Sequence, residues 1–419
     1  MKSFRLLSKV GSIAPLAVLL ASPALGADSG GLKTDPANGI SDSTIKIGWM
    51  GDESGPAASS EEPDIHGLQA YADFINTRGG ILGRQFQIID LDDKSRTDNA
   101  TVNYRRLVND EHVLVIADMA GSQVATPLAP AVMSARIPVV FPQQTTDAQL
   151  QVPYFFNLTS HYADSADVIV ATAAKMVGGP SKLKMLVIRL SVPSGEEFNS
   201  YIQTSLKVQG GQYAGVATVD YTQEDYTPTI VQIKQAMASG ANAIAVHSSP
   251  KNAAGLFNAM SKSGVSLPIV GQQSLAEPNL FKNGPPEIVA KFEAVQSILP
   301  SNSGVPGAKD MDAYVKTHPQ YATEGLDLKF SQGWLSGWII AEALRRAASE
   351  NGGVVARDAM YKALSAKFDT GGLTCKLDFT GPMHYTPCAT AMVWDGRSMV
   401  SKAGFDADSV VLRRQYGGK

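Results

Sequence analysis

The sequence predicts an α/β fold with two lobes built on parallel sheets, and three observations lead to this prediction. Short runs of β-branched and apolar residues alternate with longer segments whose apolar residues recur every three or four positions. The alternation runs through residues 44–141 and starts again near residue 164, which indicates two lobes. Of the 419 residues, 44% are hydrophobic and 18% are charged, so apolar material suffices for sizeable cores. Strands that alternate with helices are typical of parallel sheets with both faces covered.

The first series begins with a strand at Thr44–Met50, which is rich in β-branched and apolar residues. In the segment 64–78, Ile65, Leu68 and Ala72 lie on one face of a helix, and Gly79-Gly80 suits its end. The pattern then predicts a strand at 85–91, a helix near 97–109, a strand at 113–117, a helix near 124–135 and a strand at 137–141.

The second series repeats this order. It predicts helices near 164–177, 195–208, 227–239 and 252–263, and strands at 184–190, near 214–219, at 243–247 and at 267–270. The last third adds a strand at 293–299, helices at 309–318, 329–348 and 354–366, and a hairpin of 372–380 with 388–397. We interpret this last third as chain that returns to complete the two lobes, which leaves a cleft between them as the natural ligand site.

The first 27 residues have the pattern of a secretory signal peptide. Basic residues precede a short apolar stretch and then small residues, so cleavage is expected near Gly26 or Ala27. The apolar stretch is shorter than the roughly 20 residues that span a bilayer, so a membrane anchor is the weaker alternative. We therefore expect a periplasmic protein, with a flexible leader over 28–43 that is rich in Gly, Ser and Asp.

Composition and motifs exclude several kinds of function. Lys plus Arg number 36 against 39 for Asp plus Glu, with no block of like charges, so nucleic acid is not an expected partner. The six histidines form no close metal-binding pair, and no phosphate-binding loop or nucleophile motif occurs. We therefore expect no enzyme activity, no metal and no cofactor. In an exported protein Cys375 and Cys388 favour a disulfide over two free thiols.

Polar residues follow two of the predicted strands. Ser122 comes after the strand 113–117, and Gln143 and Thr145 come after the strand 137–141. Ligands of open α/β sheets bind beyond the carboxyl ends of the strands, and hydroxyl groups and helix N-termini suit a carboxylate. Ordinary helix capping is the alternative role for Ser122 and Thr145.

These motifs resemble those of the type I periplasmic solute-binding proteins of ABC importers, in the class that binds leucine, isoleucine and valine. The resemblance runs from about Ile45 to residue 397. It rests on IKIG followed by SGPAA, on INTRGGILGRQFQIIDLDD, on AGSQVATPLAP and on IPVVFPQQTT, in this order. It implies two Rossmann-like lobes joined by a hinge of three crossovers. The implied domains are 44–162 plus 300–370, and 163–299 plus 371–413.

The resemblance also implies site residues. Ser122, Gln143 and Thr145 match the positions that hold the ligand carboxylate. Ser194 stands where amino-acid binders carry an aromatic residue, and Ser248 or Ser249 stands at a second such place. Gln273 stands at the position of the acidic residue that holds an α-ammonium group. Ser60 and His247 complete the candidate set.

A neutral Gln273 argues against an ordinary α-amino acid, because a buried ammonium without its carboxylate partner costs about 3–5 kcal/mol. The sequence therefore favours a small carboxylate-bearing solute, such as an aromatic or other organic acid. An acidic residue that reaches in from elsewhere, such as Glu61, Glu62 or Glu277, is the alternative, and it keeps a branched-chain amino acid possible. A neutral amide or urea is a further option.

The expected function is capture of this solute by hinge closure, followed by delivery to the permease and ATPase subunits of an ABC importer. The protein is expected to act as a monomer. A partner that reports the solute to a signalling receptor is the alternative from another class.

Overall fold

The computed structural model describes residues 31–141, 143–385 and 387–401. The predicted signal peptide, the first residues of the predicted leader and residues 402–413 of the predicted second domain lie outside the described residues. Within the described ranges, no helix is long and apolar enough to cross a membrane.

The first sheet has five parallel strands in the order β2-β1-β3-β4-β5. The strands are β1 (Thr44–Gly51), β2 (Gln85–Asp92), β3 (Val115–Met119), β4 (Val139–Phe141) and β5 (Phe155–Asn157). Its helices are α1 (Ala58–Asn76), α2 (Thr97–Arg105), α3 (Ser122–Ala135) and α4 (Asp147–Leu150). The sequence predicted the first four strands and α1 to α3, whereas β5 and α4 were missed because neither is longer than four residues.

The second sheet has seven strands in the order β14-β13-β10-β9-β8-β6-β7. The parallel strands are β6 (Lys184–Leu190), β7 (Gln212–Val219), β8 (Ala243–His247), β9 (Ile269–Gly271) and β10 (Phe292–Gln296). Its helices are α5 (Tyr162–Met176), α6 (Pro193–Gln209), α7 (Thr227–Ala238), α8 (Pro250–Lys262), α9 (Pro278–Asn283) and α10 (Pro286–Val289). The antiparallel strands β13 (Thr390–Trp394) and β14 (Met399–Ser401) complete the sheet.

The chain passes between the two halves of the molecule three times, as predicted. It leaves the first sheet after β5 and returns after β10 to form α11 (Lys309–Thr317), α12 (Leu328–Glu350) and α13 (Arg357–Leu364). It then crosses again to form β13. The crossing segments are joined to one another. Ser160 N donates to Ser297 Oγ at 3.0 Å, and Leu299 N donates to Leu373 O at 2.9 Å.

The hairpin predicted for 372–380 and 388–397 is wrong. Residues 377–378 (β12) pair with 367–368 (β11), and β13 pairs with β10 and β14. The first half of the expected hairpin therefore pairs with the segment just before it, whereas the second half pairs with the distant β10 and with β14. Cys375 and Cys388 are nevertheless joined by a disulfide, which confirms that prediction.

The leader predicted for 28–43 is not loose in its described part. The side chains of Leu32 and Ile40 are buried, and Ile40 bridges to Ile45 at the start of β1. Lys33 N donates to Gly353 O at 2.7 Å, and the Arg84 guanidinium donates to Leu32 O. Two apolar anchors and these hydrogen bonds fix a segment whose composition alone suggested flexibility.

Helices α1 and α12 pack at close range because glycines lie at their contact. A Cβ atom on Gly67 would lie 2.0 Å from Phe330 O, and one on Gly333 would lie 1.8 Å from Asp64 O. No larger residue fits there without moving a backbone. The first turn of α12 is thereby held against α1, beside the carboxyl ends of the first sheet.

Candidate functional site

A cavity of about 80 Å³ lies between the two sheets, at the carboxyl ends of their strands. Seven of the eight predicted ligand residues line it: Ser60, Ser122, Gln143, Ser194, His247, Ser248 and Gln273. They come from both halves of the molecule, so the cavity lies between the two halves.

Ser122 reaches the cavity because the chain turns sharply between β3 and α3. Gly121 has a φ of 82°, in the left-handed region that glycine adopts without strain, and α3 begins at the next residue. Ser194, in the first turn of α6, faces it from the second half. The Ser194 backbone N donates to Ser122 Oγ at 3.3 Å, so two predicted ligand residues contact each other across the cleft.

Thr145 is the predicted ligand residue that the structure does not bring to the cavity. It is fully buried beside the first crossing segment, where it forms a parallel bridge with His161 and its carbonyl accepts from Tyr162 N. The Thr145 hydroxyl has no hydrogen-bond partner among the described residues. Gln143 and Gln144 line the cavity instead, because the chain turns away from it before α4.

Gln273 presents an unpaired amide to the cavity. Its side chain is buried, and neither its amide nitrogen nor its amide oxygen has a hydrogen-bond partner among the described residues. Buried polar groups in proteins nearly always have partners, so a bound molecule or water is expected to supply both bonds. The amide can donate and accept at once.

His247, at the end of β8, is a neutral group of the cavity wall. Burial lowers the pKa of its imidazole to about 4. Its Nε2 lies 3.3 Å from the Tyr162 hydroxyl, whereas Nδ1 has no partner among the described residues. His247 therefore offers one ring nitrogen to a ligand without carrying charge at neutral pH.

Two charged residues of the cavity wall were not among the predicted ligand residues. Lys329, in the first turn of α12, has 5% of its surface exposed, and Glu61 of α1 has 6%. Glu61 had been considered only as an alternative acidic group, and Glu277, the other such residue that is buried, does not line this cavity. Lys329 had one signal in the sequence, since it is the only charged residue between positions 328 and 341, a stretch in which most residues are apolar.

Gln143 connects Lys329 to buried carboxyl groups beneath the cavity. Its Oε1 accepts from the Lys329 ammonium, and its Nε2 donates to Asp118 Oδ2 at 2.9 Å. Burial, and then the nearby Asp64, raise the pKa of Asp118 well above its usual range. Burial also raises the pKa of Asp64 to about 6.

Glu61 has a similar electrostatic setting. Burial, and then the Asp93 carboxylate, raise the pKa of Glu61 well above its usual range, although Asp52 N donates to its Oε2 at 2.7 Å. Burial of this kind disfavours the charged form of a carboxyl group.

A second polar cluster, outside the cavity lining, joins α4 to α6. Asp147 N donates to the Glu197 carboxylate at 3.0 Å, and the Tyr201 hydroxyl donates to Asp147 Oδ1 at 2.7 Å. His161 Nε2 lies 3.1 Å from Asp147 Oδ1. Asp147, His161 and Glu197 are a group that could hold a metal ion, which the sequence did not predict.

Hydrogen bonds already occupy this cluster. His161 Nδ1 accepts from Ala163 N, so in the neutral ring the proton is on Nε2, which then donates to Asp147 instead of binding a metal. Bonds from His161 and Tyr201 lower the pKa of Asp147. The cluster thus acts as a direct contact between the two halves of the molecule.

Comparisons with known proteins agree with this architecture. A family model described as periplasmic binding protein matches residues 44–394. A fatty acid ABC transporter substrate-binding protein from Thermomonospora curvata is similar in structure, with a TM-score of 0.79, 20% identity and coverage of 90% of this chain and 96% of that one.

Two further solved structures share the fold. A branched-chain amino acid ABC transporter protein from Thermus thermophilus with bound valine has a TM-score of 0.78 and 17% identity, and the match covers 89% of this chain and 99% of that one. A leucine-binding protein from Thermotoga maritima has a TM-score of 0.73 and 16% identity, with coverage of 87% and 99%. No curated protein sequence matches this chain. At these identities the likeness concerns the fold.

Proposed function

This chain belongs to the periplasmic binding protein family, and from that premise we propose that it captures a small carboxylate-bearing solute for an ABC importer. Proteins of this family bind solutes and catalyse no reaction. The proposed cargo is an organic acid rather than a simple α-amino acid. The two halves of the molecule close on it by rotation about the three crossing segments.

One observation carries this proposal. Seven residues chosen from the sequence as ligand contacts line a single cavity, and they come from both halves of the chain. A cavity whose wall is split between two halves suits a site that forms on closure. The hydroxyl groups of Ser60, Ser122, Ser194 and Ser248 can serve as hydrogen-bond donors to a carboxylate.

The cavity volume sets the size of the proposed solute. About 80 Å³ is space for roughly three water molecules, at the 30 Å³ or so that each occupies in the liquid. We therefore propose a solute with a short carbon skeleton, whereas the name of the Thermomonospora curvata protein gives a fatty acid as its cargo.

A branched-chain amino acid is the second candidate, and Glu61 is the observation that favours it. Its carboxyl group lines the cavity and would regain its negative charge beside a ligand ammonium. A neutral amide or urea is a further candidate, since the unpaired Gln273 amide would suit either. A role as partner of a signalling receptor would use the same cleft.

The cellular setting follows from the same premise. We propose that residues 1–27 are a signal peptide cleaved near Gly26 or Ala27, and that the mature protein is a periplasmic monomer. Its partners would be a membrane permease and an ATPase subunit. The proposed domains are 44–162 plus 300–370, and 163–299 plus 371–413.

A thermal-shift screen tests the proposed function. The mature protein would be heated with small hydroxy and oxo acids, aromatic acids, α-amino acids, amides and urea. A solute at 100 times its dissociation constant adds about 2.7 kcal/mol to the free energy of unfolding. A clear shift with an acid supports the proposal, and absence of any shift across all classes contradicts it.

A pair of hydroxyl variants then tests the cavity as the site. Loss of one hydrogen bond in Ser122→Ala should weaken binding of the solute found in the screen by about threefold to tenfold. Thr145→Ala is the matched control, because Thr145 does not line the cavity. Calorimetric titration measures both. Equal effects of the two substitutions would contradict the site.

A further inference from the structure

Lys329 is a buried cation with unused hydrogen-bonding capacity. Its backbone N donates to the Asp327 carboxylate, which caps α12 and fixes the first turn of that helix. Among the described residues, its ammonium makes one hydrogen bond, to Gln143 Oε1. Two of its three N–H groups are therefore available to a molecule in the cavity.

The carboxyl groups around Lys329 do not fully neutralise it. Asp64, Asp118 and Asp327 are the acidic residues whose charges interact with it. Burial raises the pKa of Asp327 to about 8, so Asp327 is held largely as a neutral acid at neutral pH, and burial raises the pKa of Asp118 as well, which disfavours its charged form. Asp64 is left as the nearby anion. A buried ammonium of this kind gains most from an anionic ligand.

Apart from Glu61, the other polar groups of the cavity wall are uncharged. The Gln273 amide has both polar atoms unpaired, and His247 is uncharged with Nδ1 unpaired, within the described part of the chain. These groups match a hydroxyl, a carbonyl or an amide. Glu61 is the group in the wall suited to an ammonium, and its burial beside Asp93 disfavours the charge that it would need.

We propose that Lys329 is the specificity-determining residue of the cleft: its ammonium binds the carboxylate of a small hydroxy or oxo acid, and Gln273 binds the hydroxyl or carbonyl group. This inference rests on the proposed function and names the class of solute. Gln143 positions the ammonium, because its own amide is fixed by Asp118 on the other side.

Three matched solutes test this inference. Lactate, alanine and lactamide have nearly the same size. Lactate carries a carboxylate, alanine carries a carboxylate and an ammonium group, and lactamide carries no charged group, so the three separate the acid, the amino acid and the neutral amide. Calorimetric titration of the mature protein with each, and with the longer members of each series, gives the wild-type preference. We expect the hydroxy acids to bind at least tenfold more tightly than the matched amino acids and amides.

Two variants assign the preference to a residue. Lys329→Met should weaken hydroxy-acid binding by about 100-fold or more, because it removes the charge partner, and should change amide binding by less than threefold. Lys329→Arg keeps the charge and should restore part of the loss. Lys234→Met is the matched control, because Lys234 is exposed on α7 and does not line the cavity, and it should leave hydroxy-acid affinity within threefold of wild type. Thermal unfolding of each variant shows that it is folded.

The outcomes separate the two proposals. If amino acids bind best and Glu61→Gln abolishes their binding, the inference about Lys329 is wrong while the solute-binding function stands. Unchanged hydroxy-acid affinity in folded Lys329→Met also overturns the inference. If neither these series nor the broader screen yields a ligand of the wild-type protein, the proposed function itself fails.

Discussion

Raising the pH from about 6.5 to about 8 is expected to lower the free energy of unfolding by up to about 2 kcal/mol for each buried carboxyl group that stays protonated in the folded protein. Asp327 is the clearest such group, because burial raises its pKa to about 8. Glu61 and Asp118, also buried, have pKa values raised well above the usual range. Unfolding exposes all three to water, where they ionise near pH 4.

The direction follows from proton counting. Between the unfolded and folded pKa values the folded chain holds protons that the unfolded chain releases, so stability falls as the pH rises. Burial lowers the pKa of His247 to about 4 and also lowers that of His384, and these groups have the opposite effect. The gain in stability that these histidines give as the pH rises is complete once the pH passes about 6.5, where histidine in the unfolded chain loses its proton. Above that value the carboxyl groups dominate.

Urea unfolding at three pH values between 6.5 and 8 measures this effect. Asp327→Asn removes one titrating group and retains a hydrogen-bonding side chain, so its stability should depend less steeply on pH than that of wild type. Asp98→Asn is a suitable control, since Asp98 is exposed on α2 and is ionised in both states across this range. Constant or rising stability of the wild-type protein over this range would contradict the electrostatic picture of the site.

Much of the fold could be predicted because its signals are local. Apart from the edge strands β2 and β7, the strands of the two parallel series are largely buried apolar runs, and the apolar face of each long helix repeats every three or four residues. Strand pairing at the end of the chain could not be predicted in this way. Whether residues 390–394 pair with 377–378 or with β10 depends on which edge of a distant sheet is open.

Local sequence signals likewise predict one part of the candidate site and not the other. His247 ends β8, Ser248 follows it, and Gln273 lies two residues after β9. The rule that ligands bind at the carboxyl ends of parallel strands places them together. Lys329 follows no strand. It reaches the cavity because the chain returns after β10 and α12 packs on α1, which is tertiary information. Thr145 shows the opposite case: it was predicted to line the cavity, but a short turn places it away from the cavity that Gln143 and Gln144 line.

The contact between α1 and α12 therefore determines both stability and the geometry of the cavity. Gly333→Ala would place a methyl group 1.8 Å from Asp64 O and 2.8 Å from Leu68 N, so the two helix backbones must separate. Overpacking of a core costs about 1–3 kcal/mol and occasionally more, and a clash with backbone belongs at the upper end. We expect the melting temperature to fall by roughly 3–5 °C.

The same substitution should also weaken solute binding, because α1 carries Glu61 and Ser60 whereas α12 carries Lys329. Separation of the helices shifts Lys329 relative to the other wall of the cavity, and a displacement of about 1 Å is enough to lose a hydrogen bond to a carboxylate. Gly381→Ala is the matched control, since a Cβ atom there meets nothing within 4 Å and its backbone is not in the left-handed region. Thermal unfolding and calorimetric titration of both variants measure the two effects.

If Gly333→Ala kept wild-type stability, the close packing of α1 on α12 would be refuted. If it lost stability but kept full affinity, Lys329 would not depend on this contact for its place in the cleft.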